Sequence, residues 1–418
     1  MEAKVPFLKS LRFDGLLSFP PGSEVIELTP LNVLIGPNGS GKSNLIEGVE
    51  LLHALPTGFA SAIRRGGGAS EWLWKGDHGA GKANIEVQLT IDSLSYEGSP
   101  PRVFKLGDSK HLRYYFAFAE VGQRVAVQNE VIEDSPLIEQ DGRIHGVYYE
   151  LLNDKAVLQA VNARAGDYPE PPVRDLRYLQ GNMLKAGESV LSQFRDVFVY
   201  PELTLIANRF EAIQSFREWT FGPDSAARKP QPADLPPDIL APDARNLGLL
   251  LNRLEHSGAW SEFNGYLTRF LPRFERYSTR IEGGTVQFYL HESGLKLPVP
   301  ATRLSDGTIR FIAILAQLLS PAPPPLICME EPELGLHPDA ITLLASLLQE
   351  ASTRTQLIVT THSDALVSAL TEQADSVLVC EYRNGTIFQR VDSSKLRFWL
   401  DKYRLGEIWR IGEIGGNL

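Results

Sequence analysis

The chain has 418 residues, of which 43% are apolar and 22% charged, and its formal net charge is −10. This composition is ordinary for a globular protein of one large or two modest domains, and no apolar run reaches the roughly 18 to 20 residues of a membrane span. Broad binding to nucleic acid is disfavoured, because surfaces that coat it are normally basic, although a local basic patch stays open. We expect a cytoplasmic protein without membrane contact, since the N-terminus lacks the apolar stretch of a secretion signal. Cys328 and Cys380 form no CxxC motif, which argues against a disulfide framework.

The first predicted elements are a strand, a glycine-rich loop and a helix. Residues 7–34 alternate apolar and polar positions and end in the apolar run LNVLIG, while NLIEGVELLHAL has apolar residues at helical spacing. The loop between them, GPNGSGKS, matches the pattern GxxxxGK followed by Ser or Thr, whose backbone N–H groups surround phosphates at a helix N-terminus. Lys42 would reach the β- and γ-phosphates, and Ser43 would bind magnesium. We therefore predict that a nucleotide is bound by Gly36, Pro37, Asn38, Gly39, Ser40, Gly41, Lys42, Ser43 and Asn44.

The middle of the chain changes character twice. Period-two patterning at residues 83–91, 111–120 and 143–151 predicts an antiparallel layer beside the nucleotide site. From about residue 182 to 277 the pattern is helical, including LIANRFEAIQSFREW, and the proline-rich stretch 222–243 is expected to be an exposed loop. These changes predict three segments. Residues 1–185 form the first part of one lobe, 186–300 an inserted, mainly helical lobe, and 301–418 the part that completes the first lobe.

Two candidates in these regions have open alternatives. Gln193 precedes the helical insertion and is a candidate to monitor magnesium, and a surface glutamine on a helix is the alternative. Arg64 and Arg65 stand on a glycine-rich segment, where they could sense nucleotide or contact DNA, or lie in a solvated turn.

Two carboxylates follow the apolar strand LICM near the C-terminal end. We predict that Glu330 reaches magnesium through water and that Glu331 polarises the attacking water. The metal-side position is usually an aspartate, and a glutamate there makes the two roles harder to separate. A solvated acidic strand end is the alternative interpretation.

Two further motifs flank this strand. LSDG, about twenty residues earlier, opens the apolar helix FIAILAQLL, so Ser305, Asp306 and Gly307 would point a helix N-terminus at the γ-phosphate held by another protomer. His362 follows the strand QLIVTT, where it would contact the γ-phosphate. His337, in GLHP, is either structural or communicates with a partner. The last predicted element is a hairpin with an Asn-Gly turn at Asn384.

Together, GPNGSGKSN, LSDGTIR, ICMEEPELGLHP and VTTHS resemble the RecF–SMC branch of ABC-type ATPases, and more narrowly its compact RecF-like members from bacteria. The resemblance covers roughly residues 5–75 and 300–418. It implies an α/β fold, the ABC-type P-loop ATPase head, with a mixed central sheet, an antiparallel β layer and an inserted helical lobe. It also implies ATP hydrolysis with Mg²⁺, with Lys42, Glu331 and His362 as catalytic residues, in a homodimer whose heads are bridged by ATP.

The resemblance leaves the biological output open. Relatives act in DNA maintenance or in defence against phage. We expect this chain to have neither the coiled coils of SMC proteins nor the C-terminal nuclease of some defence proteins. We therefore expect a molecular switch with a separate effector. A RecF-like DNA-binding repair protein with hydrolysis as a timer is the alternative. A transporter ATPase subunit is disfavoured by EEPELGLHP in place of DEPT.

Overall fold

The structure is a computed structural model of the chain, and it describes residues 5–76, 81–91, 94–96, 102–104, 110–140, 143–152, 155–161, 174–180, 183–217, 219 and 221–415. The N-terminal part begins with three strands and continues with three helices. In chain order these are β1 (Leu8–Asp14), β2 (Ile26–Glu27), β3 (Leu31–Ile35), α1 (Lys42–Ala54), α2 (Phe59–Arg65) and α3 (Ala69–Trp72).

A run of strands follows, and most of them join β1 and β2 in the antiparallel layer. The strands of this run are β4 (Lys82–Ile91), β5 (Leu94–Tyr96), β6 (Arg102–Phe104), β7 (Lys110–Val121), β8 (Arg124–Gln140), β9 (Arg143–Leu152), β10 (Lys155–Val161) and β11 (Arg174–Gln180). Among the described residues the layer has the order β11-β10-β9-β8-β7-β4-β1-β2, and β5 pairs only with β6. The predicted antiparallel layer is confirmed, and it contains more strands than the three that the patterning indicated.

The middle segment mixes helices with short strands. It contains α4 (Val190–Gln193), α5 (Pro201–Glu211), β12 (Gln214–Phe216), β13 (Gln231–Pro232), α6 (Leu247–Glu255), α7 (Trp260–Phe270), β14 (Phe274–Glu282), β15 (Thr285–Glu292) and β16 (Val299–Pro300). The helix predicted to run through QSFREW instead ends at Glu211, because the next residues pair with a strand of the central sheet. The inserted lobe carries its own small sheet, in which β13, β14 and β16 all pair with β15. The three segment boundaries stay predictions.

The C-terminal part alternates strands and helices. Its elements are α8 (Asp306–Leu318), β17 (Leu326–Glu330), α9 (Pro338–Ala351), β18 (Gln356–Thr360), α10 (Asp364–Ala369), β19 (Val377–Tyr382), β20 (Thr386–Arg390), α11 (Arg397–Leu400) and α12 (Leu405–Arg410). The hairpin predicted around Asn384 is confirmed as β19 and β20, with Asn384 and Gly385 both at positive φ. Among the described residues, every helix falls short of the length and apolarity that a membrane span requires.

The central sheet has the order β12-β17-β18-β3-β19-β20. Neighbours from β12 to β19 are parallel, and β20 is antiparallel to β19. The mixed central sheet is therefore confirmed. Because parallel strands end at the same edge of a sheet, the loops that follow β3, β17 and β18 lie side by side, which is where open α/β sheets bind ligands.

Hydrophobic cores cover both faces of the central sheet. Leu34 of β3 packs into the core shared with α1 and the antiparallel layer, whereas Val33 and Ile35 pack into the core shared with α8, α9 and the inserted lobe. This alternation follows from the period of two in a strand. A strand buried on both faces is held rigidly, so the residues at its end have fixed positions.

Candidate nucleotide site

The phosphate loop leaves the fully buried strand β3 and enters α1 at Lys42. Two of its glycines are required by their surroundings. Gly36 has φ 144°, and a Cβ there would lie 2.2 Å from the carbonyl oxygen of Cys380. Gly41 has φ 107°, and a Cβ there would lie 2.0 Å from Oγ1 of Thr386. Both positions therefore exclude other residues, because φ is positive and because a Cβ would clash with a neighbouring atom.

The β19–β20 hairpin holds this loop in place. The thiol of Cys380 donates a hydrogen bond to the carbonyl oxygen of Ser40 at 3.2 Å, and the hydroxyl of Thr386 donates to the same oxygen at 2.8 Å. Burial raises the pKa of Cys380 to about 11, so the thiol keeps its proton. Cys380 and Thr386 are thus structural parts of the site that the motif search did not reveal.

Lys42 lies folded over the loop. Its Nζ donates hydrogen bonds to the carbonyl oxygens of Gly36 and Pro37 at 2.7 and 2.9 Å. Burial lowers the pKa of Lys42 from its ordinary value, and the nearby carboxylates of Glu331 and Glu330 oppose that shift. The lysine charge therefore lies within electrostatic reach of both predicted carboxylates.

Glu331 adopts a strained backbone at the end of β17. Its φ is 45°, in the left-handed region, and its N–H donates to the carbonyl oxygen of Thr360 at 3.0 Å. Non-glycine residues in this region are uncommon and cluster at functional sites. The turn brings Oε1 of Glu331 within 3.7 Å of Nε2 of His362.

His362 is partly buried between these groups. Burial lowers its pKa and the charge of Lys42 lowers it further, while Glu331 acts in the opposite direction. The imidazole is therefore neutral at pH 7 and can donate one hydrogen bond while accepting another. The structure thus brings Lys42, Glu331 and His362 together.

Glu333 was not predicted, although it belongs to the same acidic motif. Its Oε1 accepts hydrogen bonds from the hydroxyl of Thr361 at 2.5 Å and from the N–H of His362 at 3.2 Å. Burial raises the pKa of Glu333 above its ordinary value. Glu333 therefore fixes the loop after β18 against the loop after β17 and orients His362.

Arg217, and not Gln193, is the side chain placed against Glu330. Arg217 follows β12, and its Nε lies 3.4 Å from Oε1 of Glu330. Gln193 instead lies beside the antiparallel layer, where its amide bonds to the backbone N–H of Lys185 and to the carbonyl oxygens of Glu188 and Ser189. The magnesium role predicted for Gln193 is therefore unsupported, because its polar atoms already have local partners.

Ser305 and Asp306 form the start of α8, as the LSDG motif predicted. Ser305 is the N-cap, and its hydroxyl accepts from the N–H of Thr308 at 3.1 Å. Gly307 is packed so closely that a Cβ there would lie 2.6 Å from the carbonyl oxygen of Gly335, in the loop after β17. The LSDG motif therefore contacts the loop after β17 of its own chain.

A buried arginine anchors this motif. Arg228 forms an ion pair with Asp306, and it donates to the carbonyl oxygen of Leu304 at 2.5 Å and to that of Phe221 at 3.0 Å. Arg228 is only 6% exposed. The expectation of an exposed loop at 222–243 holds only in part: Asp224, Lys229 and Pro230 are exposed, but Arg228 and Leu240 of this segment are buried.

The remaining candidates are His337, Arg64 and Arg65. His337 is the N-cap of α9, and its Nδ1 accepts from the N–H of Asp339 at 3.3 Å, which is a structural role. Arg64 and Arg65 are exposed at the end of α2, and Arg65 contacts the hydroxyl of Ser61 at 3.4 Å. Both alternatives for these arginines remain open.

The site has unsatisfied polar atoms that fit a nucleotide with a cation. Among the described residues, Oγ of Ser40 and Oε1 of Glu330 are buried without a hydrogen-bond partner, which is costly unless a ligand completes them. Ser43 is exposed in the first turn of α1, beside the loop. A hydroxyl, a carboxylate oxygen and water are the ligands that Mg²⁺ prefers, so these residues suit a magnesium–nucleotide complex.

The fold and the order of these motifs place the chain among the RecF/SMC-like ABC-type ATPases. It belongs to the family described as "AAA domain, putative AbiEii toxin, Type IV TA system", which it matches over residues 31–100 and 185–368. Comparison with curated protein sequences gives no match.

Comparison with solved structures finds similar SMC heads. One is an SMC head bound to the C-winged helix domain of ScpA, with 15% identity and a TM-score of 0.52, covering 93% of this chain and 99% of that chain. Another is the Pyrococcus furiosus SMC head bound to the C-terminal domain of ScpA, with 13% identity and a TM-score of 0.49, covering 95% and 99%.

Proposed function

We propose that this protein binds ATP with Mg²⁺ and hydrolyses the γ-phosphate bond. The convergence of Lys42, Glu331 and His362 at the ends of three adjacent strands carries the proposal. This set provides a cation for the phosphates, a carboxylate for the attacking water and a neutral imidazole. Membership of an AAA-domain family and the SMC-head fold support the same reaction.

Each residue has a distinct role in this proposal. The backbone N–H groups from Gly36 to Ser43 surround the phosphates, and Nζ of Lys42 exchanges its two carbonyl partners for phosphate oxygens. Ser43 and Glu330 would hold Mg²⁺, which neutralises charge that develops on the phosphates. Oε1 of Glu331 accepts the proton of the attacking water, and His362 donates a hydrogen bond to the γ-phosphate.

We also propose that two chains assemble around ATP. Ser305 and Asp306 are exposed at the N-terminus of α8, where free backbone N–H groups and the helix dipole favour an anion. The buried Arg228 fixes this helix start against the body of the chain. A rigid, exposed anion site at a helix start is what a γ-phosphate held by another protomer requires.

The output of this switch is proposed to be defence through a separate effector. The family description names a putative toxin of a type IV toxin–antitoxin system, which supports defence over DNA repair. The SMC head of similar fold is bound to a domain of another protein, which supports a protein effector. DNA binding by Arg64 and Arg65 remains the alternative.

Phosphate release from ATP tests the reaction. The wild-type protein should release phosphate in the presence of Mg²⁺, Lys42→Ala should lose nucleotide binding, and Glu331→Gln should bind ATP without hydrolysing it. Glu120→Gln, which removes an exposed carboxylate at the end of β7, is the matched control and should keep wild-type turnover. Undiminished hydrolysis by Glu331→Gln would remove Glu331 from the catalytic role.

A further inference from the structure

Arg217 stands at the point where the inserted segment meets the metal-side carboxylate. In the parallel register of β12 and β17, Ser215 pairs with Cys328 and Phe216 with Met329. The next position on each strand therefore places Arg217 beside Glu330. No sequence motif indicated this residue, because the short strand β12 could not be recognised.

The guanidinium of Arg217 contacts three carboxylates. Nη2 of Arg217 lies 2.8 Å from Oε1 of Glu47, and Nη1 lies 3.3 Å from Oε2 of Glu50; both acids belong to α1. Nε lies 3.4 Å from Oε1 of Glu330. The arginine is therefore bound to the helix that follows the phosphate loop and to the strand that carries Glu330.

The three contacts differ in kind. Those with Glu47 and Glu50 are hydrogen bonds, whereas Nε of Arg217 and Oε1 of Glu330 are buried and have no hydrogen-bond partner among the described residues. The contact with Glu330 is thus an ion pair without hydrogen-bond alignment. A divalent cation that binds Glu330 breaks this contact more readily than the other two. Arg217 then keeps its hydrogen bonds to Glu47 and Glu50.

We propose that Arg217 is a positioning residue that competes with the divalent cation for Glu330. With no cation, the guanidinium holds the carboxylate. When Mg²⁺ arrives with the nucleotide, Glu330 turns to it and Arg217 remains on Glu47 and Glu50. Arg217 thereby sets the Mg²⁺ concentration at which Glu330 binds the cation. This inference rests on the proposed function, because it concerns the same nucleotide site.

The proposed competition predicts opposite shifts in the Mg²⁺ requirement when Arg217 is replaced and when Glu47 or Glu50 is replaced. Arg217→Gln removes the competing guanidinium, so nucleotide binding should need less Mg²⁺. Glu47→Gln or Glu50→Gln removes an acid that draws Arg217 away, so Arg217 should hold Glu330 more firmly and more Mg²⁺ should be needed. A merely structural role would weaken binding in all three variants, so the sign of the shift separates the two explanations.

The experiment is a Mg²⁺ titration of the binding of a fluorescent, non-hydrolysable ATP analogue. We expect the half-saturating Mg²⁺ concentration to fall by about threefold to tenfold in Arg217→Gln and to rise by a similar factor in Glu47→Gln, as for a partly screened charge pair. Arg217→Lys, which keeps the charge, should stay close to wild type. Arg124→Gln, which removes an exposed arginine at the start of β8, is the matched control and should leave the titration unchanged.

An unchanged or raised Mg²⁺ requirement in Arg217→Gln, with nucleotide still bound, would overturn this inference alone. Absence of Mg²⁺-dependent nucleotide binding in the wild-type protein would overturn the proposed function and this inference with it.

Discussion

The imidazole Nε2 of His362 lies 3.7 Å from the carboxylate Oε1 of Glu331, although the two residues follow different strands. The register of β17 and β18 produces this contact, because Glu330 pairs with Thr360 and the N–H of Glu331 then bonds to the same threonine. A shift of one residue would turn one of the two side chains to the other face of the sheet. The chemistry of the site therefore depends on the packing of the central sheet.

His362→Gln should slow hydrolysis by about tenfold or more while leaving ATP affinity near wild type, because the imidazole is expected to act on the reacting phosphate and not on ground-state binding. The pH profile distinguishes the histidine. Since burial and Lys42 lower the pKa of His362 below its ordinary value of 6.5, the wild-type to variant rate ratio should be constant from pH 7 to 8.5 and change only below about pH 6.5. A ratio that changes between pH 7 and 8 would contradict this assignment.

Gly307→Ala should destabilise the protein by about 1 to 3 kcal/mol and reduce hydrolysis, because a Cβ there would press 2.6 Å from the carbonyl oxygen of Gly335. Thermal unfolding and phosphate release measure the two effects. Gly265→Ala is the control: this exposed glycine inside α7 has open space, so alanine there should stabilise by up to about 1 kcal/mol. Equal stability of the two variants would show that α8 can move away from the loop after β17.

Glu130→Gln tests a buried carboxyl in the antiparallel layer. Glu130 is buried and accepts hydrogen bonds from Tyr114, Ser189 and the N–H of Val190, and burial raises its pKa to about 7. A folded-state pKa above the unfolded value of 4.5 gives stability that is fully present below pH 4.5 and is lost as the pH rises through 7.

The difference in unfolding free energy between wild type and Glu130→Gln should therefore shift by about 2 to 3 kcal/mol against the wild type from pH 5 to pH 8. Denaturant unfolding at both pH values measures it. The same difference at pH 5 and pH 8 would mean that Glu130 is ionised in the folded protein throughout.

Gln193→Ala should leave the Mg²⁺ requirement for nucleotide binding unchanged. Within the part of the chain that the structure describes, the amide bonds only to the turn at residues 185–189, so its loss should cost about 1 kcal/mol of stability. The Mg²⁺ titration described for Arg217 provides the measurement, with Arg217→Gln as the variant that does respond. A raised Mg²⁺ requirement in Gln193→Ala would restore the role that the sequence suggested.

The phosphate loop and the acidic strand could be predicted because their information is local. A buried strand, a glycine loop and a helix follow one another within residues 31–54, and each step is recognisable by itself. The same holds for β17 with Glu330 and Glu331, and for β18 with His362. Their placement side by side in the central sheet came from the family resemblance.

The residues that sequence missed depend on tertiary pairing. β12 has three residues and directly follows the helical pattern of α5, so only its pairing with β17 defines it as a strand. Arg217 could not be assigned for that reason. Glu333 could not be assigned because its role depends on hydrogen bonds from Thr361 and His362, in the loop after β18. Arg228 was hidden by its proline-rich surroundings, since burial of a charged side chain depends on the backbone carbonyl groups and the acid that neighbouring segments supply.

The mass of Glu331→Gln in solution with ATP and Mg²⁺, measured by light scattering, tests the proposed switch most directly. The account predicts twice the monomer mass with ATP and the monomer mass without it, because the variant binds ATP and cannot hydrolyse it. Adding Ser305→Arg to the same chain should restore the monomer, since the helix start that receives the partner's γ-phosphate is blocked. A Glu331→Gln protein that binds ATP and stays monomeric would contradict the ATP-bridged dimer.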